Sequence, residues 1–361
     1  MSETSLSELA VYTARPTVRI DAEAYPIVSE SIVAMEMTER EGGLSALELR
    51  VGNWASNPSG GVDFAFEDDS ILKLGATIAI YSGDERAPQE IFQGVITGLE
   101  AIFSDAGAPE LIVLAEDALQ QARMTRRTVT HTDATIAALA RDLAGQLGLT
   151  PVITGLSDNI GVQVQLNESD LAFLRRMLAR YDGDLQVVGR ELHVSPRGDV
   201  RRGQLELRFN GQLRRARALA DLAHQVTEIT VSGWDAAQGR RITGRSTGAH
   251  AGPGAGRSGA DLLHQTIGER AHHIGHLAVT DSAEAQALAD AAFDSRARQF
   301  VTIEGTAEGN AALRVGSHVS LHGLGGRFDN TYYVVRTCHR FDLQRGYETD
   351  FTAECAFLGA G

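Results

Sequence analysis

From Pro16 to Glu116 apolar residues tend to recur at every second position in short runs. The segments PTVRIDAEAYPIV, SALELRVGNW, ATIAIYSG, EIFQGVITGLEAIF and ELIVLAED alternate or carry β-branched residues, and clusters of Gly, Pro, Asn and Asp separate them. A period of two sends neighbouring side chains to opposite faces, so the region predicts a small β-barrel or sandwich. The period then lengthens. TDATIAALARDLAGQLGL (132–149) predicts a helix with a Thr/Asp start and a stop at Gly148. After a short strand at 161–165, the segment NESDLAFLRRMLARYDGDL predicts a second helix. Asn167 or Ser169 can cap it, and Leu171, Leu174, Met177 and Leu178 form its apolar face. A hairpin, LQVVGRELHVSP, follows.

β-character returns in QLELRFN and in QVTEITVSGWD (225–235). Residues 244–259, GRSTGAHAGPGAGRSG, predict a mobile loop, and SAEAQALADAAFDSRARQF (282–300) predicts a helix leading into a last β region over 301–357. The expected fold is mainly β with α+β insertions. A first β-barrel spans residues 1–120, an α/β domain 121–200, and a second barrel 201–361, split by an insertion at about 236–300 that holds the Gly-rich loop and a helix.

The two β regions match each other. KLGATIAIYSG (73–83) parallels RVGSHVSLHG (314–323), with Gly75 against Gly316. FQGVITGLEAIF (92–103) parallels YYVVRTCHRF (332–341), with Thr97 against Thr337. ELIVLAED (110–117) parallels ETDFTAEC (348–355), with Glu110, Ala115 and Glu116 against Glu348, Ala353 and Glu354. Three strands in one order indicate an internal duplication. A threefold ring of such chains would carry six similar units around one axis.

Composition narrows the function. Across 361 residues the formal charge is −14, opposite in sign to a free nucleic-acid-binding domain, so no stable nucleic-acid binding is expected. The clusters Arg123, Arg126, Arg127 and Arg214, Arg215, Arg217 sit beside acidic segments and read as solvated or subunit-contact faces. Cys338 and Cys355 are too few for a disulfide framework or a four-cysteine zinc site. No run approaches 18 apolar residues, so no membrane segment is expected, and the first residues lack the pattern of a signal peptide. Synthesis in the cytoplasm is the expectation.

Four stretches carry a family resemblance: LNESDLAFLRRMLARYDGDLQVVGRELHV, VTEITVSGWD, SAEAQALADAAFDSRA, and LRVGSHVSLHGLGGRFDNTYYVVRTCHRFDLQRGYETDFTAE. Together they resemble the phage late control D family and the hub portion of the valine-glycine repeat proteins (VgrG) of type VI secretion. The resemblance implies two related tube-type β-barrels in a pseudo-sixfold homotrimeric ring. That ring would be the central baseplate hub of a phage tail or contractile injection system, a symmetry adaptor between a trimeric spike and a hexameric inner tube. The implied partners are further copies of the chain, a spike, an inner-tube or tube-initiator protein and baseplate wedge proteins. The sequence ends just after the last barrel strand, so the spike is expected to be a separate polypeptide.

Candidate chemistry is sparse, and no catalytic, cofactor or metal residues are expected. His272 and His276 would share a helix face at i, i+4, but no glutamate lies between them in the metalloprotease arrangement, and His264 and His273 complete no ligand pattern. His318, His322 and His339 fall on predicted strands, where partly exposed histidines are usual. Glu168 and Asp170 could be a carboxylate pair, yet negative charge in a helix's first turn is favourable by itself, by about 0.3–1 kcal/mol each. The positions singled out are structural: Gly75, Gly94, Gly316 and Gly323 for tight turns, and Asn167, Glu168, Ser169, Asp170 and Leu171 for the helix start. A carbohydrate-binding β-barrel module would need aromatic platforms, whereas Trp54 and Trp234 stand alone; a tail-associated hydrolase would need a catalytic constellation that the sequence does not spell.

Overall fold

The structure is a computed structural model that describes residues 15–56, 62–82, 88–235, 238–248, 251–275, 277 and 279–359. The N-terminal residues before Arg15, Gly83 and His276 lie outside the described residues.

Alternation builds the first unit. Its elements are β1 (Thr17–Ile20), β2 (Glu23–Ala24), α1 (Pro26–Ser31), β3 (Ile32–Arg40), β4 (Ala46–Gly52), β5 (Ala55–Ser56), β6 (Val62–Asp63), β7 (Thr77–Ser82), β8 (Gln89–Ile102) and β9 (Glu110–Glu116). In β4, Leu47, Leu49 and Val51 are buried while Glu48 and Arg50 between them are not. Each such side chain contributes about 1.5–3 kcal/mol on burial. Strands β1, β7, β8, β9, β4 and β3 lie side by side in that order, all antiparallel.

Residues 118–200 follow the helical period read from the sequence. They hold α2 (Leu119–Met124), β10 (Arg126–His131), α3 (Ile136–Leu147), β11 (Thr150–Ile153), β12 (Gln163–Ser169), α4 (Asp170–Arg180), β13 (Gly183–Val188) and β14 (Glu191–Pro196). Helix α3 starts later than residue 132, because Asp133 adopts φ +52° and Thr135 is the cap, accepting from the Ala138 N–H at 3.0 Å. Gly148, at φ +65°, ends it. The α helices pack on the β11–β14–β13 sheet over one apolar cluster that includes Leu143, Leu174, Met177, Leu185 and Leu192.

The second unit begins with β15 (Gly203–Arg208) and β16 (Leu213–Ala220). The chain then leaves the main sheet for β17 (Glu228–Asp235), β18 (Arg240–Ser246), β19 (Arg257–Ser258), α5 (Gly259–Thr266), β20 (Ala271–Ile274) and α6 (Ser282–Arg298). It returns as β21 (Val301–Glu308), β22 (Ser317–His322), β23 (Asn330–Asp342), β24 (Gly346–Cys355) and β25 (Phe357–Leu358). Strand β17, read from the sequence with the barrel strands, pairs instead with β18 and β20 beneath α6. Its alternation fits either sheet; only pairing decides.

Two expectations are corrected. The described part of the Gly-rich segment is packed, not free: Asn330 holds Ala255 through both its backbone groups at 2.9 and 3.0 Å. A Cβ at Gly254 would lie 2.6 Å from Cys355 Sγ, so the glycine serves close approach. Nor do two closed barrels form, because no strand pair joins β1 to β3 or β15 to β16 among the described residues. Strand β23 is long: its first half pairs with β22, and its second half runs on to pair with β3 of the first unit. One 13-stranded sheet therefore passes through both units.

Candidate assembly interface

The second unit repeats the first strand for strand. Its order, β15, β22, β23, β24, β21, β16, mirrors β1, β7, β8, β9, β4, β3, the one difference being that β15 and β22 run parallel. Two of the irregularities repeat as well. Strand β8 loses step with β9 between Ile96 and Gly98, and β23 loses step with β24 between Val334 and Arg336. Strand β3 loses step with β4 between Ile32 and Ala34, and β16 with β21 between Leu213 and Arg215. Bulges are specific features of a strand pair, so matched bulges fix the correspondence residue by residue. Glu116 then matches Glu354, Ile96 matches Val334, and Met37 matches Ala218. Thr97 falls beside Val335 rather than Thr337, whose counterpart is Leu99. A slip of two residues keeps every side chain on its face, which is why the sequence pattern could not exclude it.

The predicted positions divide between turns and packing. Gly75 and Gly316 are equivalent: at φ +84° and +86° they donate N–H to Ile96 O and Val334 O, each at 2.9 Å. Around Gly75 a Cβ would meet open space, but at Gly316 it would overlap the Arg202 guanidinium and lie 2.7 Å from Val200 Cγ1. Gly75→Ala is expected to cost about 1–2 kcal/mol from backbone strain, and Gly316→Ala about 1–3 kcal/mol more from crowding, measured by urea unfolding. Gly94 is no turn; it lies within β8 and lets Phe92 and the Glu116 carbonyl close over it. Gly323, at φ +86°, turns the chain after β22. At the helix start Ser169, not Asn167, is the cap, accepting from the Ala172 N–H at 3.3 Å. Asn167 stands at φ +47° and donates its N–H to Thr128 Oγ1. Arg127 holds Asp170, Arg176 holds Glu168, and Leu171 is buried.

The histidines divide between two kinds of place. His264 lies in the last turn of α5, and His272 and His273 sit on β20, a strand. Among the described residues no group of three or more His, Cys, Asp or Glu could hold a metal ion. His318 and His339 are buried rather than partly exposed.

The join between β3 and β23 carries the molecule's least expected chemistry. Seven antiparallel pairs run from Arg40 against Arg336 to Ala34 against Asp342. Its inward row is Met35, Met37 and Glu39 from β3 with Phe341, His339 and Thr337 from β23, all buried. Glu39 accepts from Arg314 Nε at 2.9 Å and from a second guanidinium nitrogen, from the Val315 N–H at 3.3 Å and from Thr337 Oγ1 at 3.3 Å. Burial pushes its carboxyl up, but the Arg314 charge and hydrogen bonds outweigh that and hold it below the ordinary value. Beside it His339 Nδ1 meets Tyr347 Oη at 2.9 Å and Thr349 Oγ1 at 3.2 Å. No motif in the sequence singles out Glu39 or Arg314. The signal was there in Met35, Met37, Glu39, an inward alternation that ends on a carboxylate.

Burial lowers the His339 imidazole from 6.5 to about 4. The unfolded chain therefore takes up this proton near pH 6.5 while the fold resists it down to about pH 4, so the stabilising contribution is present above 6.5 and lost below. Relative to His339→Gln, the unmodified protein is expected to lose about 3 kcal/mol between pH 7 and pH 4, read from paired urea titrations.

On the other side of each unit the matching edges are open among the described residues. Among the described residues, strand β16 pairs with no strand but β21. Strand β8 is covered by β7 as far as Val95, and beyond Ile96 it pairs, among the described residues, with β9 alone.

A family model described as the Alg8 N-terminal domain matches residues 56–342. The chain belongs to the Alg8 N-terminal domain family. The stretch matched to the Alg8 N-terminal domain runs from the last residue of β5 to the last residue of β23, so it holds β23 but not β3, that strand's partner in the join. No curated protein matches the chain by sequence. Among solved structures, the 43 kDa tail protein of prophage MuSo2 from Shewanella oneidensis is similar at TM-score 0.69 and 12% identity, over 94% of this chain and 97% of that one. A tail protein from Neisseria meningitidis MC58 is similar at TM-score 0.63 and 11% identity, over 94% and 96%. The E. coli c3393 protein, a component of the type VI secretion system with structural similarity to the T4 bacteriophage tail proteins gp27 and gp5, is similar at TM-score 0.56 and 13% identity, over 94% and 76%. The shared property is the fold, that of phage tail proteins.

Proposed function

We propose that this chain is a structural baseplate hub protein of a phage tail or contractile injection system, within the late control D and VgrG-hub group. Three copies form a ring that adapts a trimeric spike to a hexameric inner tube. The observation that carries the reading is the strand-for-strand repeat with matched bulges. A chain with two equivalent half-units presents six around a threefold axis, so one face can meet a sixfold partner and the other a threefold one. The tail-protein fold of the similar structures supports the same reading.

The two halves act as tube-type barrel segments, and residues 121–200 with the insertion after β16 are outward additions that wedge proteins or the particle's other parts can grip. The spike and the inner-tube or tube-initiator protein are separate partners. The role is mechanical and needs no catalytic group. Light scattering on purified protein tests it: three chain masses are expected, and a stable monomer at high concentration would overturn the reading.

A further inference from the structure

We propose that β16 of one copy pairs antiparallel with the second half of β8 of the next copy, in the register that β3 and β23 use within the chain. This rests on the ring reading, and it names the contact that would close that ring.

The matched bulges allow the register to be carried over. Ala216, Ala218 and Ala220 occupy the places of Met35, Met37 and Glu39. Leu99, Ala101 and Phe103 occupy the places of Thr337, His339 and Phe341. The in-chain pairs Met35–Phe341, Met37–His339 and Glu39–Thr337 then become Ala216–Phe103, Ala218–Ala101 and Ala220–Leu99 between copies.

Three features of the open edges fit that contact. An unpaired strand edge presents a row of backbone donors and acceptors that another strand can satisfy. The row that would face inward is apolar on both sides, Ala216, Ala218 and Ala220 against Leu99, Ala101 and Phe103, yet none of the six is buried, and Phe103 is 67% exposed. Their counterparts in the join between β3 and β23 are all at 5% exposure or less. The small alanines of β16 leave room for the large Phe103. The other face supplies charge: Arg217 would lie diagonal to Glu100, a favourable cross-strand neighbour.

That charge pattern also selects against alternatives. Two β16 strands meeting each other would bring Arg215 and Arg217 against like charges, and two β8 edges would oppose Glu100 with itself or with acidic neighbours such as Asp105. The contact is therefore heterologous, the kind that closes into rings.

Cross-linking tests the register. Neighbouring pairs in an antiparallel ladder alternate between close and wide spacing, so two adjacent positions cover both. Chains carrying Ala218→Cys with Ala101→Cys, or Leu219→Cys with Glu100→Cys, are expected to give covalent dimers and trimers under mild oxidation, at least tenfold more than Ala218→Cys with Ser104→Cys. Native Cys338 and Cys355 are buried and do not compete. Cross-linking by Ala218→Cys alone would mean that β16 pairs with itself and would overturn the proposal. A trimer by light scattering without either cross-link would overturn the register and leave the ring reading standing. A monomer would remove both. Hydrogen exchange on the unmodified chain gives a reading free of substitutions: in the trimer, amides along one edge of residues 215–221 and 98–104 should exchange at least tenfold slower than in monomer obtained by dilution, and equal rates would contradict the pairing.

Discussion

Replacing Glu39 by alanine is expected to destabilise the fold by about 3–5 kcal/mol in urea unfolding, a large share of the ~5–15 kcal/mol that holds a domain together. Glu39 is 1% exposed, and four hydrogen bonds from Arg314, Val315 and Thr337 converge on it. Alanine removes the carboxylate and strands the Arg314 guanidinium in the join between the two units. The damage comes from the unpaired partner more than from the lost attraction. Adding Arg314→Met to Glu39→Ala should therefore restore part of the loss, because neither charge is then left buried without its partner. If the double variant is as unstable as the sum of the singles, the pair does not act as a unit.

A similar loss is expected for Arg298→Ala. Arg298, at the end of α6, is 2% exposed and bonds the Asp182 carboxylate just after α4. Burial pushes the Asp182 carboxyl up, and the Arg298 charge pulls it back. Arg197 lies 3.9 Å from Asp182, bonds Glu41 and stacks over the Tyr333 ring at 5.1 Å from its centroid. This polar group ties the α/β segment to both units. Without Arg298, about 3–5 kcal/mol should be lost, and hydrogen exchange should rise first in α4 and β13, since Asp182 links them. Uniform loss across the whole chain would show that the group supports the fold generally instead of holding that segment.

The sequence made much of this architecture legible through period alone. Strands β4, β7, β8 and β9 alternate cleanly, and α3 and α4 carry caps and apolar faces at helical spacing. What escaped were the edge and joining strands. Strand β3, IVAMEMTER, has charges at Glu36, Glu39 and Arg40 that dilute its alternation. Strand β16, LRRARALA, is built from Arg and Ala, which have little β-preference, and it reads as a basic cluster. In both, tertiary pairing decides the strand. The duplication was visible, but its register was not, since a two-residue slip leaves the pattern unchanged and only the bulges fix it. The mainly β class was readable; that one sheet would pass between the units was not, because it depends on β23 reaching β3, a pairing across most of the chain.

Electron microscopy of the purified protein viewed down its axis is the most direct measurement. A closed ring of three chains whose inner wall shows six near-equivalent lobes is expected. Isolated chains, a twofold particle, or a threefold one with only three lobes on its wall would contradict it.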